Sequence, residues 1–181
     1  MISAALDTSY GTAVAILTEN GTYVTETRAR RGRASDRNLI ECFQTCLKES
    51  GCGAAEIQRW TVGTGPGSFT GLRVGVAFVR GLCAGTGALY RGVPSSLALA
   101  GAVSKSLATR RNIGVLHDAR GGQVILSRYL RSDSGSLAIA ADPTIINPDE
   151  LTEINATVDI WTTVHEAEIA ESLPAEIRAH L

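Results

Sequence analysis

Two apolar runs in this chain each end in an aspartate that stands four residues before a glycine: Asp7 before Gly11, and Asp118 before Gly122. In the first copy, Ile2 to Leu6 is apolar, Asp7-Thr8-Ser9-Tyr10-Gly11 is turn chemistry, and Thr12 to Leu17 resumes with β-formers. In the second, Ile113 to His117 leads into Asp118-Ala119-Arg120-Gly121-Gly122, and Val124 to Tyr129 returns. A single such hairpin is commonplace. Two with matched spacing predict two lobes built on one plan, a first over 1–108 and a second over 109–181, meeting around Ala108 to Asn112. A chain of 181 residues has room for both.

Between the copies the pattern alternates strand and helix. Asn20-Gly21 predicts a type I′ hairpin leading into a third antiparallel strand, Thr22 to Thr27. An arginine cluster follows at Arg28, Arg30, Arg31, Arg33 and Arg37. Ser35 or Asp36 caps a helix to Ser50, with Leu39, Phe43, Cys46 and Leu47 at helical spacing and Gly51 as the stop. Ile57 to Val62 reads as a strand ending in Gly63-Thr64-Gly65-Pro66-Gly67-Ser68, after which a helix runs from Ser68 to Gly85. Another helix starts at Ser95 or Ser96. Leu137–Ala140 and Thr157–Val164 are short β-like pieces, and a C-terminal helix is interrupted at Pro174.

Composition removes whole classes of function. The 17 basic and 18 acidic residues nearly cancel, so no global field attracts nucleic acid. No Gly-Lys-Ser/Thr is present, which excludes a P-loop nucleotidase. Charge-free stretches such as Gly92 to Ser104 are shorter than the ~18 residues of a membrane span, and no basic leader precedes Asp7. The sequence reads as a soluble cytoplasmic protein with no membrane association. Cys42, Cys46, Cys52 and Cys83 form no Cys-x-x-Cys pair, and His117, His165 and His180 are scattered. Neither a disulfide framework nor a metal ligand set is expected.

Three features remain for chemistry. Gly63, Gly65 and Gly67 expose backbone N–H groups just before a helix, an arrangement that holds an anion or lets a strand and helix pack closely; the residues alone allow either. Asp7 and Asp118 end strands, where aspartate serves as an acid–base group or simply bonds its own turn. The helix Ser68–Gly85 is apolar nearly all round: Leu72, Val76, Val79 and Cys83 form one stripe, Val74, Phe78 and Gly81 another, and only Arg73 and Arg80 are charged. Such a helix needs cover on nearly all sides. Its second face implies a subunit interface, or a helix wholly internal to the fold.

Ala4-Ala5-Leu6-Asp7-Thr8-Ser9, Gly65-Pro66-Gly67-Ser68-Phe69-Thr70-Gly71-Leu72-Arg73-Val74-Gly75-Val76-Ala77, Gly92-Val93-Pro94-Ser95-Ser96-Leu97 and Asp118-Ala119-Arg120, in this order, resemble the TsaB (YeaZ) family. The resemblance spans residues 2 to 130. It implies an α/β, two-lobed actin-like, Hsp70-like, sugar-kinase-like (ASKHA) fold with a shortened second lobe. It further implies a non-catalytic scaffold subunit in the formation of threonylcarbamoyl-adenosine on tRNA, without cofactor, metal or catalytic residue of its own. The implied partners are the catalytic paralogue TsaD, the ATPase TsaE, and a second copy of the chain when TsaD is absent, with tRNA met only through the complex. The expected interface lies on the two first-lobe helices, at Leu39, Ile40, Phe43, Leu47, Leu72, Arg73, Val76, Val79 and Arg80, with Phe43, Val76 and Val79 as anchors. Asp7, Thr8, Ser9, Gly65, Gly67, Ser68 and Asp118 are weak phosphate-loop candidates. They keep open a second reading, an ATP-dependent phosphotransferase. A metallopeptidase is the third, and its metal site is expected to be empty. One departure stands at the start of the first helix, where Arg33-Ala34-Ser35-Asp36-Arg37 replaces the Arg-His-Ser-Glu often seen in that family.

Overall fold

The structure, a computed structural model, describes residues 1–28, 36–105, 111–164, 169–179 and 181. The chain divides into two units, Met1–Ser95 and Ser96–Leu181. Most of the arginine cluster and the expected lobe boundary lie outside the described residues.

The first unit is a five-stranded mixed sheet. Its strands are β1 (Ile2–Asp7), β2 (Gly11–Thr18), β3 (Gly21–Arg28), β4 (Ile57–Gly63) and β5 (Leu89–Val93), in spatial order β3-β2-β1-β4-β5. β1 pairs antiparallel with β2 and parallel with β4; β5 runs parallel to β4. The parallel crossovers carry the helices α1 (Asp36–Ser50) and α2 (Phe69–Thr86). The inward-facing alternate residues Ala4, Leu6, Val14, Ile16, Trp60 and Val62 join Leu39, Phe43, Cys46, Val79 and Cys83 in one core. The Cys46 thiol reaches the Tyr23 carbonyl at 3.3 Å, and Phe43 packs tilted against Trp60 and edge-on to Phe78. β5 is a strand the sequence reading leaves out. Four of its five residues are exposed, so Leu89-Tyr90-Arg91 shows none of the alternation that marks a half-buried strand.

The expected type I′ turn is absent. Thr18 pairs with Gly21, so Glu19-Asn20 forms the loop, and Asn20 keeps a negative φ. Gly21 alone takes a φ of 150° there.

The second unit repeats the strand plan. α3 (Ser95–Ser104) precedes β6 (Arg111–Arg120), β7 (Gln123–Arg131) and β8 (Leu137–Ile146); α4 (Leu151–Asn155), β9 (Ile160–Thr163) and α5 (Ala175–Arg178) follow. The sheet order is β8-β7-β6-β9, with β6 antiparallel to β7 and parallel to β9. β6 thus has the neighbours β1 has, and the duplication is one of topology. The sequence reading assigns α3 to the first lobe, but its Ala100 packs with Ile113, Val115 and Tyr129, and Ser96 Oγ bonds the Tyr129 hydroxyl at 2.8 Å. Leu126, Leu151, Trp161, Leu173 and Ile177 fill the other face. Gly114 lies flat against the Trp161 ring, whose Nε1 donates to Asn155 at 2.8 Å. The third strand extends past the expected Ala140 to Ile146, and Pro174 caps α5. Among the described residues no helix is long and apolar enough to cross a membrane.

Candidate interaction site

The glycine-rich loop, the first aspartate turn and the start of α2 meet within the first unit. The Thr8 hydroxyl donates to the Gly71 carbonyl at 2.8 Å. Ser68 N–H donates to the Ser9 carbonyl at 2.8 Å, while Ser68 Oγ caps the helix by accepting from Gly71 N–H at 3.2 Å. On the far side Gly65 N–H donates to Ser95 Oγ at 3.2 Å, and Ser95 N–H to the Gly65 carbonyl at 2.7 Å. The Gly65-Pro66 bond is cis. A methyl group at Gly67 would overlap Ser9, one at Gly71 the Thr8 carbonyl, and one at Gly75 the Thr8 hydroxyl. Of the two roles the sequence left open for the loop, close packing is the one this geometry displays.

Both aspartates serve their own turns. Asp7 Oδ1 accepts from Ser9 N–H at 2.8 Å and from the Ser9 hydroxyl; Asp118 Oδ1 accepts from Arg120 N–H at 2.7 Å. The turns themselves differ. The first leaves Thr8–Thr12 between the last β1–β2 pairs, with Thr8 and Ser9 buried, whereas Gly121-Gly122 alone closes the second, both at positive φ and with open space around them. Thr8 and Ser9 therefore lie beside Gly67, Ser68 and the start of α2, and the Asp118 turn is a two-glycine hairpin with a register shift at Ala119. Among the described residues no group of three or more His, Cys, Asp or Glu is gathered for a metal ion.

The expected interface residues divide sharply. Leu39 and Phe43 on α1 and Val79 on α2 are 3%, 6% and 0% exposed, so these three belong to their own unit's core and do not anchor a partner. Leu47 and Val76 are half-buried against that core, and Leu72 is half-buried on α2. Ile40, Arg73 and Arg80 are exposed. The inward stripe of α2 is Gly71, Gly75, Val79 and Cys83, displaced from the expected one by the glycines, which bury without a side chain. Its outward face is Phe69, Arg73, Ala77, Arg80, Gly81, Ala84 and Gly85, all exposed, of which the sequence reading names only Arg73, Arg80 and Gly81. The Arg73 guanidinium lies 5.4 Å from the Phe69 ring centre, and Phe69 is 72% exposed. Nothing lies within 4 Å of where a Cβ would sit on Gly81 or Gly85. The small residues Ala77, Gly81 and Gly85, four apart, were the available signal.

The α/β architecture, two units each built on a mixed sheet in which β1 and β6 have matching neighbours, defines the class. The sequence model of the family described as "TsaD: tRNA N6-adenosine threonylcarbamoyltransferase" matches residues 26–175. Escherichia coli (strain K12) tRNA threonylcarbamoyladenosine biosynthesis protein TsaB is 31% identical over 134 residues, which are 73% of this chain and 57% of that protein. The Haemophilus influenzae protein of the same name is 30% identical, over 70% of this chain and 53% of its own. The chain thus spans little more than half the length of these relatives. Among solved structures, YeaZ from Pseudomonas aeruginosa superposes with a TM-score of 0.71 at 23% identity, covering 82% of this chain and 68% of that one. A protein described as similar to peptidase YEAZ, from the same organism, gives 0.79 at 22% identity, covering 96% and 80%. The chain belongs to the family that the matching model describes and, within it, stands with the TsaB (YeaZ) proteins.

Proposed function

We propose that this protein takes part in forming threonylcarbamoyl-adenosine on tRNA as a non-catalytic scaffold in the cytoplasm. In this reading the outward face of α2, together with the exposed Ile40 of α1, docks on TsaD, or on a second copy when TsaD is absent; TsaE and tRNA join through that complex. The observation that carries it is the pair Gly81 and Gly85. Each costs a helix interior about 1 kcal/mol relative to alanine, and neither is required by its own unit, since both face open space. A helix keeps such residues where another backbone approaches closely. The Phe69 ring and the arginines beside this strip supply the aromatic and guanidinium contacts enriched at interfaces. Binding would act by holding the partner in its competent conformation, a shift of population with no donated catalytic group. The engaged state of Asp7 and Asp118, each bonded to its own turn, fits the absence of a catalytic role.

Gly81→Arg tests the reading. Size-exclusion chromatography and calorimetry with purified TsaD should register about a tenfold or greater loss of affinity, with an unchanged circular dichroism spectrum. Undiminished assembly with TsaD and with a second copy would refute the assignment.

A further inference from the structure

The outward line of α2 carries two guanidinium groups. Phe69, Arg73 and Arg80 follow at spacings of four and seven, which puts them on one side of the helix, and all three are exposed. Neither arginine forms an ion pair among the described residues. The Arg73 guanidinium, 5.4 Å from the Phe69 ring centre, is ordered by that contact before any partner arrives. From Ile57 to His117 the sequence holds seven basic residues and no aspartate or glutamate, so the side chains of β4, α2, β5 and α3 supply no carboxylate.

Spacing and charge together say what fits. Seven positions are two turns, about 10 Å along the helix. A facing helix with carboxylates two turns apart on one side meets both arginines, each guanidinium taking its carboxylate through two N–H donors. A second copy answers this less well. Its α2 presents the same two cations. On its α1 the exposed Glu41, next to Ile40, has the exposed Lys48 two turns on and Ala34 two turns back. Glu49 stands about 80° round that helix from Glu41. A copy aligned to bring Glu41 to one arginine therefore brings Lys48 to the other.

We propose that the surface TsaD presents to α2 carries two carboxylates about 10 Å apart, one for Arg73 and one for Arg80, and that these pairs make TsaD the preferred occupant over a second copy. The proposal rests on the docking assignment above and adds what selects the partner.

Calorimetry of the whole chain with purified TsaD, and sedimentation of the chain alone, test it at salt from about 0.05 to about 0.5 M. TsaD affinity is expected to fall as salt rises, and Arg73→Glu with Arg80→Glu should lower it about tenfold at low salt. Self-association of the unaltered chain should hold or tighten over the same range, and the charge reversal should not weaken it. Circular dichroism checks that each variant folds. Salt-independent TsaD binding, indifference to the charge reversal, or self-association lost on reversal to the same degree as TsaD binding would each overturn the proposal. Gly81→Arg separates the failures. Reversal without effect where Gly81→Arg abolishes TsaD binding overturns the carboxylate pairing alone; where Gly81→Arg is also without effect, the docking assignment falls with it.

Discussion

Thr8 and Gly71 are joined by a buried hydrogen bond of 2.8 Å, from the hydroxyl of one to the carbonyl of the other, across 63 positions of sequence. That bond fixes the first turn of α2 against the end of β1. Gly67 and Gly71 leave room for the Ser9 and Thr8 backbones there, and Gly75 for the Thr8 side chain.

The same substitution should therefore have opposite signs at two sites of one helix. Gly71→Ala drives a methyl group into the Thr8 carbonyl and should destabilise by about 2 kcal/mol. Gly81→Ala meets open space and should stabilise by about 1 kcal/mol through helix propensity. Urea melts of both variants check this, and a shared sign would contradict the packing described.

Val79 is a core residue, so Val79→Ala should lower stability by about 2 kcal/mol. The exposed Ile40→Ala should change it by under about 0.5 kcal/mol. Thermal unfolding of the two side by side measures the difference.

Cys83 is buried, and desolvation raises its pKa above the ordinary 9.0. A raised pKa keeps the thiol protonated and inert. Cys52, half-buried beside Ser50, is the accessible one. Brief iodoacetamide treatment of the native protein followed by mass spectrometry should label Cys52 first, and Cys83 only once urea is added.

Tyr129 has a pKa raised by burial, with the hydrogen bond to Ser96 pulling it partly back. The unfolded chain releases this proton from the ordinary value of 10.0 upward, while the folded chain retains it. Stability from this residue is thus complete below that pH and falls as the pH rises past it. Tyr129→Phe should flatten the alkaline decline and cost about 1 kcal/mol at neutral pH, where Ser96 loses its partner. Denaturant titrations from neutral to strongly alkaline pH give both numbers.

The duplicated aspartate turns and the glycine-flanked start of α2 were legible because each depends on local chemistry: apolar runs, turn residues, a serine cap. What the sequence misassigned depends on partners far along the chain. The inward stripe of α2 reads as Leu72-Val76-Val79-Cys83 by hydrophobicity, but Gly71 and Gly75 face inward because Thr8 comes close enough to require them. β5 escaped notice since Leu89, Tyr90 and Arg91 are exposed on both faces of an edge strand. α3 was given to the wrong unit because its apolar positions do not say which core receives them; Tyr129, through Ser96, does.

The two aspartate turns also differ in how much change they can absorb. Nothing lies within 4 Å of where a Cβ would sit on Gly121 or Gly122, so a short peptide tag or fluorophore-bearing loop spliced between them would leave the surrounding ladder undisturbed. The same graft at Thr8–Ser9 would prise α2 from its seat. The repeated turn is thus one anchored joint and one spare socket for labelling.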